Sequence, residues 1–118
     1  MKKYATTGDG LLTAIMVAEE ICDSKKSLSA LVEDVTLYPQ YIRNVRVKNK
    51  AAALEDEGVQ AALRLIEQRI NGNGRALLRQ SGTEPVIRIM IESESESSCE
   101  EFAGIIAQAI CQGGHCDE

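Results

Sequence analysis

Two apolar runs with a short polar interruption between them constrain this chain more than any other feature. Ala76-Leu77-Leu78 and Ile87 to Ile91 are each of strand length, and the intervening residues include Ser81, Gly82, Thr83 and Pro85, which favour a turn. The pattern predicts strands over 75–80 and 86–92 in one sheet, with a loop clamped between them. Between Arg79 and Arg88 the chain carries two hydroxyls, a glycine and two guanidiniums. Such a set suits a dianionic phosphate. Gly82 lets backbone N–H groups converge, Ser81 and Thr83 donate O–H, and Arg79 and Arg88 supply planar forks. Arg79 alternates with Leu78, and Arg88 with Ile87 and Ile89, so both arginines are expected on the polar face of the sheet. Pro85 fixes its own φ and restrains Glu84, which makes these two residues loop-shaping. Ser-Gly-Thr is also common turn chemistry, so the residues alone fit either anion binding, of phosphate or carboxylate, or a structural turn.

The flanking sequence supplies the rest of a small domain. Val59, Ala62, Leu63, Ile66 and Ile70 form an apolar stripe that predicts a helix over about 57–70, stopped by Asn71-Gly72-Asn73-Gly74. Cys99, Phe102, Ala103, Ile106 and Ile110 form a second stripe, with Ser98 or a nearby serine as cap. Residues 41–48 alternate well enough for a strand, and 49–57 reads as a loop, with helix permitted from Ala51 and a short fourth strand as the other option. The acidic, serine-rich run 92–98 reads as a solvated turn. Strand, helix, strand, strand, helix is the pattern of an α+β two-layer sandwich, a small mostly antiparallel sheet of three to four strands covered by two helices. Ahead of it, Leu11, Leu12, Ile15, Met16 and Ile21 predict a helix over 10–23 with Asp9 near its start, and Ser27 caps a short one over 28–33. Residues 1–35 have no sheet of their own and read as the end of a preceding domain plus a linker. Residues 36–112 form the sandwich, and 113–118 a flexible tail.

Composition narrows the function classes. One Phe, three Tyr and no Trp leave an aliphatic core, and a net charge of −5 opposes general adhesion to nucleic acid or to anionic membrane. No apolar run is long enough to cross a bilayer, and the first residues lack a signal-peptide core, so a cytoplasmic setting is expected. Cys22, Cys99, Cys111 and Cys116 contain no Cys-x-x-Cys pair. Cys111, His115 and Cys116 lie close in sequence and raise a zinc reading, which the terminal position and Gly113-Gly114 disfavour. Reduced thiols are expected, with His115 in the fraying tail.

Arg79-x-Ser81-Gly82-Thr83-Glu84-Pro85-x-x-Arg88 resembles the phosphate-binding loop in the last domain of the α-D-phosphohexomutase superfamily. Thr7-Gly8-Asp9-Gly10-Leu11-Leu12-Thr13-Ala14 is similar to the segment closing that family's third domain, and Tyr38-Pro39-Gln40 with Asn44-Val45-Arg46-Val47 to the first strand of its fourth. The resemblance covers almost the whole chain and is strongest to the bacterial branch acting on glucosamine phosphates; phosphomannomutase and phosphoglucomutase chemistry is the alternative within the family. It implies a TATA-box-binding-protein-like fold for the C-terminal domain of a four-domain enzyme. That enzyme would interconvert glucosamine 6-phosphate and glucosamine 1-phosphate through a phosphoserine and a bisphosphorylated sugar, with Mg²⁺ and a bisphosphorylated sugar activator serving the full-length protein. It further implies that Arg79, Ser81, Gly82, Thr83 and Arg88 hold the non-reacting phosphate of a phosphosugar, with Arg43 and Arg46 as background charge. Position 80, often lysine in such relatives, is Gln80 here. No phosphoserine, metal or sugar-specificity loop of the family is visible in this stretch, and a lone Asp9 does not make a Mg²⁺ site. The expectation is a piece that holds no catalytic residue, binds no metal or cofactor, relies on upstream mutase domains as partners and is inert by itself. A free-standing anion-binding or protein-interaction module is the reading from a different class.

Overall fold

The computed structural model describes Tyr4 and residues 6–117; the expectations for residues 1–3, 5 and 118 lie outside that range. The chain divides into two compact units between Thr36 and Leu37. In the first, α1 (Gly10–Ser24) begins at Asp9, whose Oδ1 accepts from the Leu12 amide at 2.9 Å, and ends at Lys25 in the left-handed conformation. Helix α2 (Leu28–Leu31) starts at Ser27, whose hydroxyl accepts from the Ala30 amide, and is two residues shorter than its sequence suggested. Neither helix has a buried residue, and Leu11 and Ile15 stand exposed.

The second unit is an α+β sandwich. Its elements are β1 (Gln40–Arg46), α3 (Lys50–Glu55), α4 (Glu57–Ile70), β2 (Arg75–Gln80), β3 (Val86–Glu92) and α5 (Glu96–Gln112). The three strands form one antiparallel sheet in the order β1-β3-β2, so the last strand in sequence is central. Alternation along β3 decides which face is covered: Ile87, Ile89 and Ile91 are fully buried, whereas Arg88 is exposed. Helix α5 lies against β1 and β3, α4 against β2, and Val59, Ile66, Phe102, Ile106 and Ile110 meet the three isoleucines in an aliphatic core. The opposite face of the sheet carries no helix of this unit.

Local chemistry fixes the ends. Asp56 caps α4 through the Val59 amide, and Ser95, one of the serines near Ser98, caps α5 by accepting from the Ser98 amide. Asn71, at φ 48°, terminates α4. Gly74, at φ 143°, lies so close to the Glu92 carbonyl that any Cβ there would strike the β3 backbone. Residues 49–57, read as a loop with helix permitted from Ala51 or as a hidden strand, contain α3, because the Asn49 side chain accepts from the Ala51 and Ala52 amides and starts a helix that alanines sustain. Ser93, placed in a solvated turn by composition, is buried just past the end of the central strand, its amide donating to the Pro39 carbonyl.

The segment after residue 112, expected to fray, is tied to the edge of β1. The Lys48 amide donates to the His115 carbonyl, the Asp117 amide donates to the Arg46 carbonyl, and Val47 bridges to Cys116 as a one-residue antiparallel pair. The expectation of reduced thiols fails for Cys111 and Cys116, which form a disulfide, while Cys22 and Cys99 are free. Gly114, at φ 74°, allows the reversal that brings the two sulfurs together. His115 is no loose tail residue: its Nε2 is 3.1 Å from Asp56 Oδ2. That bond, followed by the Val59 amide, holds the Asp56 carboxyl below its ordinary pKa. The stabilisation is therefore present above the ordinary carboxylate value and is lost as pH falls through the lowered one. Reducing the disulfide closes off a short-loop constraint on the unfolded chain, worth about 2 kcal/mol. Urea unfolding with and without dithiothreitol should show an unfolding free energy lower by that amount under reduction, and Cys111→Ser should reproduce it.

Candidate anion-binding site

The helix-free face of the sheet is organised in cross-strand rows set by the register. Gln40, Glu92 and Arg75 form the first row, Ile42, Met90 and Leu77 the second, and Asn44, Arg88 and Arg79 the third. The first row is internally neutralised: Arg75 Nε lies 2.8 Å from Glu92 Oε2, and Gln40 Nε2 donates to Glu92 Oε1 at 2.7 Å. Arg75 and then Gln40 hold the Glu92 carboxyl below its ordinary range. The third row is different. Arg79 and Arg88 sit directly opposite each other, and among the described residues neither forms a salt bridge with a carboxylate. Like charges opposed across a ladder destabilise it, and an anion between them removes that cost. Asn44 Oδ1 accepts from Arg88 Nε at 3.0 Å, which steers the guanidinium while leaving its terminal nitrogens available.

These arginines open onto a cleft of about 510 Å³ lined by Ile42, Leu77, Met90, Arg79 and Arg88, with the loop residues from Gln80 to Glu84 at its end. The structure thus brings Arg79, Ser81, Gly82, Thr83, Glu84 and Arg88 together in one place. Pro85 is not in the lining; its carbonyl accepts from the Val47 amide at 2.9 Å and fastens the loop to the end of β1. Gln80 pairs with Ile87, but as the exposed last residue of β2 it also lines the end of the cleft, so lysine there would add charge beside the two arginines. Arg43 pairs with Ile89 and reaches toward Gly104 of α5, on the other side of the sheet from the clamp.

The loop amides do not converge as their sequence suggested. Ser81 N donates to the Val86 carbonyl, and the Thr83 and Glu84 amides turn back to Ser81 Oγ at 3.4 and 3.2 Å. Of the loop amides only that of Gly82 has no acceptor among the described residues. The donors left to meet an anion are Gly82 N–H, the Ser81 and Thr83 hydroxyls, and the arginine forks. Gly82 has no positive φ, and a Cβ on it would meet nothing within 4 Å. Neither backbone conformation nor packing therefore requires glycine there. Gly82→Ala should leave the unfolding midpoint unchanged within about 0.5 kcal/mol and weaken phosphate binding about tenfold, by loss of close approach. Calorimetric unfolding and a phosphate titration check the two halves.

Sequence reasoning missed Lys50. Its Nζ reaches from the first residue of α3 to the carbonyls of Ser81, at 2.7 Å, and Glu84, at 3.3 Å, holding both ends of the loop. A signal was present: a lysine in the first turn of a helix opposes the macrodipole and calls for a compensating contact.

Residues 43–109 match the C-terminal domain of the phosphoglucomutase/phosphomannomutase family, and residues 1–38 match its alpha/beta/alpha domain III. The phosphoglucosamine mutase of Lachnospira eligens is 41% identical over 113 residues, covering 96% of this chain and 25% of the relative. That of Alkaliphilus metalliredigens is 46% identical over 110 residues, covering 92% and 25%. The chain spans about a quarter of the length of these relatives. Among solved structures, Aspergillus fumigatus N-acetylphosphoglucosamine mutase in complex with GlcNAc-6P and magnesium shares the fold, with a TM-score of 0.67 at 23% identity over 91% of this chain and 22% of that one.

Proposed function

The chain belongs to the phosphoglucomutase/phosphomannomutase family, matching its C-terminal domain over residues 43–109, and on that premise we propose that the cleft beside Ser81–Pro85 grips the phosphate of a hexose phosphate. The observation that carries this reading is the opposed, carboxylate-free pair Arg79 and Arg88 beside the Gly82 amide. Two planar cations, one amide and two hydroxyls satisfy the oxygens of a dianion from several sides. The apolar row of Ile42, Met90 and Leu77 flanks the cations and lowers the local dielectric, which strengthens the charge-assisted bonds. Identities of 41% and 46% to phosphoglucosamine mutases favour glucosamine phosphates as the sugar.

In this reading the chain is the C-terminal, substrate-phosphate-binding part of an enzyme that interconverts glucosamine 6-phosphate and glucosamine 1-phosphate in the cytoplasm. Its clamp holds whichever phosphate is not reacting. No group of three His, Cys, Asp or Glu side chains suited to a metal is present among the described residues. The reading assigns Mg²⁺ chemistry and the phosphoryl-carrying serine to upstream mutase domains and expects the 118-residue chain to be inert alone.

Titrating the ¹⁵N-labelled chain with inorganic phosphate and with glucosamine 6-phosphate tests the reading. Saturable shifts centred on residues 79–88 are expected, with a Kd of about 1 mM, because one clamp leaves only a few kcal/mol after ordering costs. Shifts that fail to saturate, or that spread evenly over the molecule, would refute a localised clamp. Sugar-phosphate isomerisation by the purified chain would refute its inertness.

A further inference from the structure

We infer that Lys50 is a positioning residue of the phosphate clamp: by binding the Ser81 and Glu84 carbonyls it fixes which way the Gly82 amide points. The inference rests on the phosphate-binding reading and adds a residue outside the loop motif. A trans peptide group is planar, with C=O and N–H directed to opposite sides. The Ser81 carbonyl and the Gly82 N–H belong to one such group. Since Lys50 Nζ holds that carbonyl at 2.7 Å, the Gly82 N–H is directed away from α3. Gly82 lines the cleft and its amide has no acceptor among the described residues, so this orientation presents the donor to the cleft. A flip of the 81–82 peptide would turn the carbonyl there instead, and a carbonyl repels phosphate.

A second effect acts through the same bond. An ammonium on the carbonyl oxygen polarises the peptide, which makes its N–H a stronger donor. The second bond, to Glu84 at 3.3 Å, lies across a peptide whose nitrogen belongs to Pro85 and offers no N–H. Its contribution is to hold the far end of the loop at a fixed distance from the near end. Lys50 is half-buried, is absent from the cleft lining and is bound to two oxygens of the loop, so its part is to aim the loop and not to touch the anion.

The experiment compares the parent chain with Lys50→Met, Lys50→Arg and Lys48→Met. Lys48 is exposed, nearby in sequence and without a bond to the loop, so its replacement removes the same charge without releasing the peptide. Inorganic phosphate is the probe, and the readouts are Kd, the ligand-free shift of the Gly82 amide and the unfolding midpoint. Expected are a Kd weakened about tenfold in Lys50→Met, a displaced Gly82 resonance before any phosphate is added, partial recovery of both in Lys50→Arg, and a change under about twofold in Lys48→Met. Equal weakening in Lys48→Met and Lys50→Met would reduce Lys50 to a long-range charge and overturn the inference. So would an unmoved Gly82 resonance in Lys50→Met, a readout that needs no ligand. If the parent chain itself binds no phosphate, the binding-site reading and this inference fall together; if it binds and Lys50→Met binds equally well, only the inference falls.

Discussion

Replacing Arg88 with alanine should remove detectable phosphate binding from the chain without lowering its unfolding midpoint. Arg88 stands on the central strand, where both neighbours fix the backbone, and Asn44 Oδ1 orients its guanidinium from one side while Arg79 faces it from the other. A hydrogen bond to a charged group contributes about 1.5–3 kcal/mol, so losing the fork weakens binding by about 10- to 100-fold. Starting near millimolar, that moves the Kd beyond practical titration. Stability goes the other way. Removing one of two opposed cations relieves repulsion, so the midpoint should hold or rise by a few tenths of a kcal/mol. Arg75→Ala is the matched control. It lies on the same face of β2, but its charge is already satisfied by Glu92, so binding should change by less than about twofold. Chemical-shift titration of the two variants checks the contrast, and equal losses from both would mean that general positive charge, not a clamp, attracts the anion.

The second unit was legible wherever a periodic apolar pattern ran against a strong punctuation mark. The stripe ending at Ile70 followed by Asn-Gly-Asn-Gly gave α4 its bounds, and alternation around Arg88 gave β3 its faces. What periodicity could not supply was contact between distant residues. Lys50 and Ser81 are 31 positions apart, and Asp56 and His115 are 59 apart; neither bond has a local signature beyond a residue unsuited to its place. The tail shows the same limit. Glycines at 113 and 114 read as looseness when in fact Gly114 makes the turn that closes Cys111 onto Cys116 and lays Val47 beside the last residues. In the candidate site, residue identity was readable and donor direction was not. Ser81, Thr83 and Glu84 spend their amides within the hairpin, which leaves Gly82 as the one loop N–H for an anion.

Ile89→Ala, one residue beyond Arg88, should do the opposite: lower stability steeply and act on binding only through folding. Ile89 is fully buried at the middle of the central strand, paired with Arg43 on one side and Leu78 on the other, beneath the helix layer. Truncating a buried isoleucine to alanine removes the transfer free energy of its methyl groups and leaves a cavity the rigid sheet cannot close, at a cost of about 3–4 kcal/mol. For a unit of this size that is roughly 15–25 °C in Tm. Ile42→Ala on the neighbouring strand is the control, because Ile42 is 51% exposed on the open face and should cost under about 1 kcal/mol. Urea titration gives both numbers, and at low temperature, where Ile89→Ala is still folded, its phosphate Kd should match that of the parent chain. The reason lies in the strand itself: a period of two sends consecutive side chains to opposite layers, so the clamp and the core are adjacent in sequence yet separated by the sheet. A loss of affinity in folded Ile89→Ala would mean that core packing sets the guanidinium geometry, and the division of labour between the two faces would have to be abandoned.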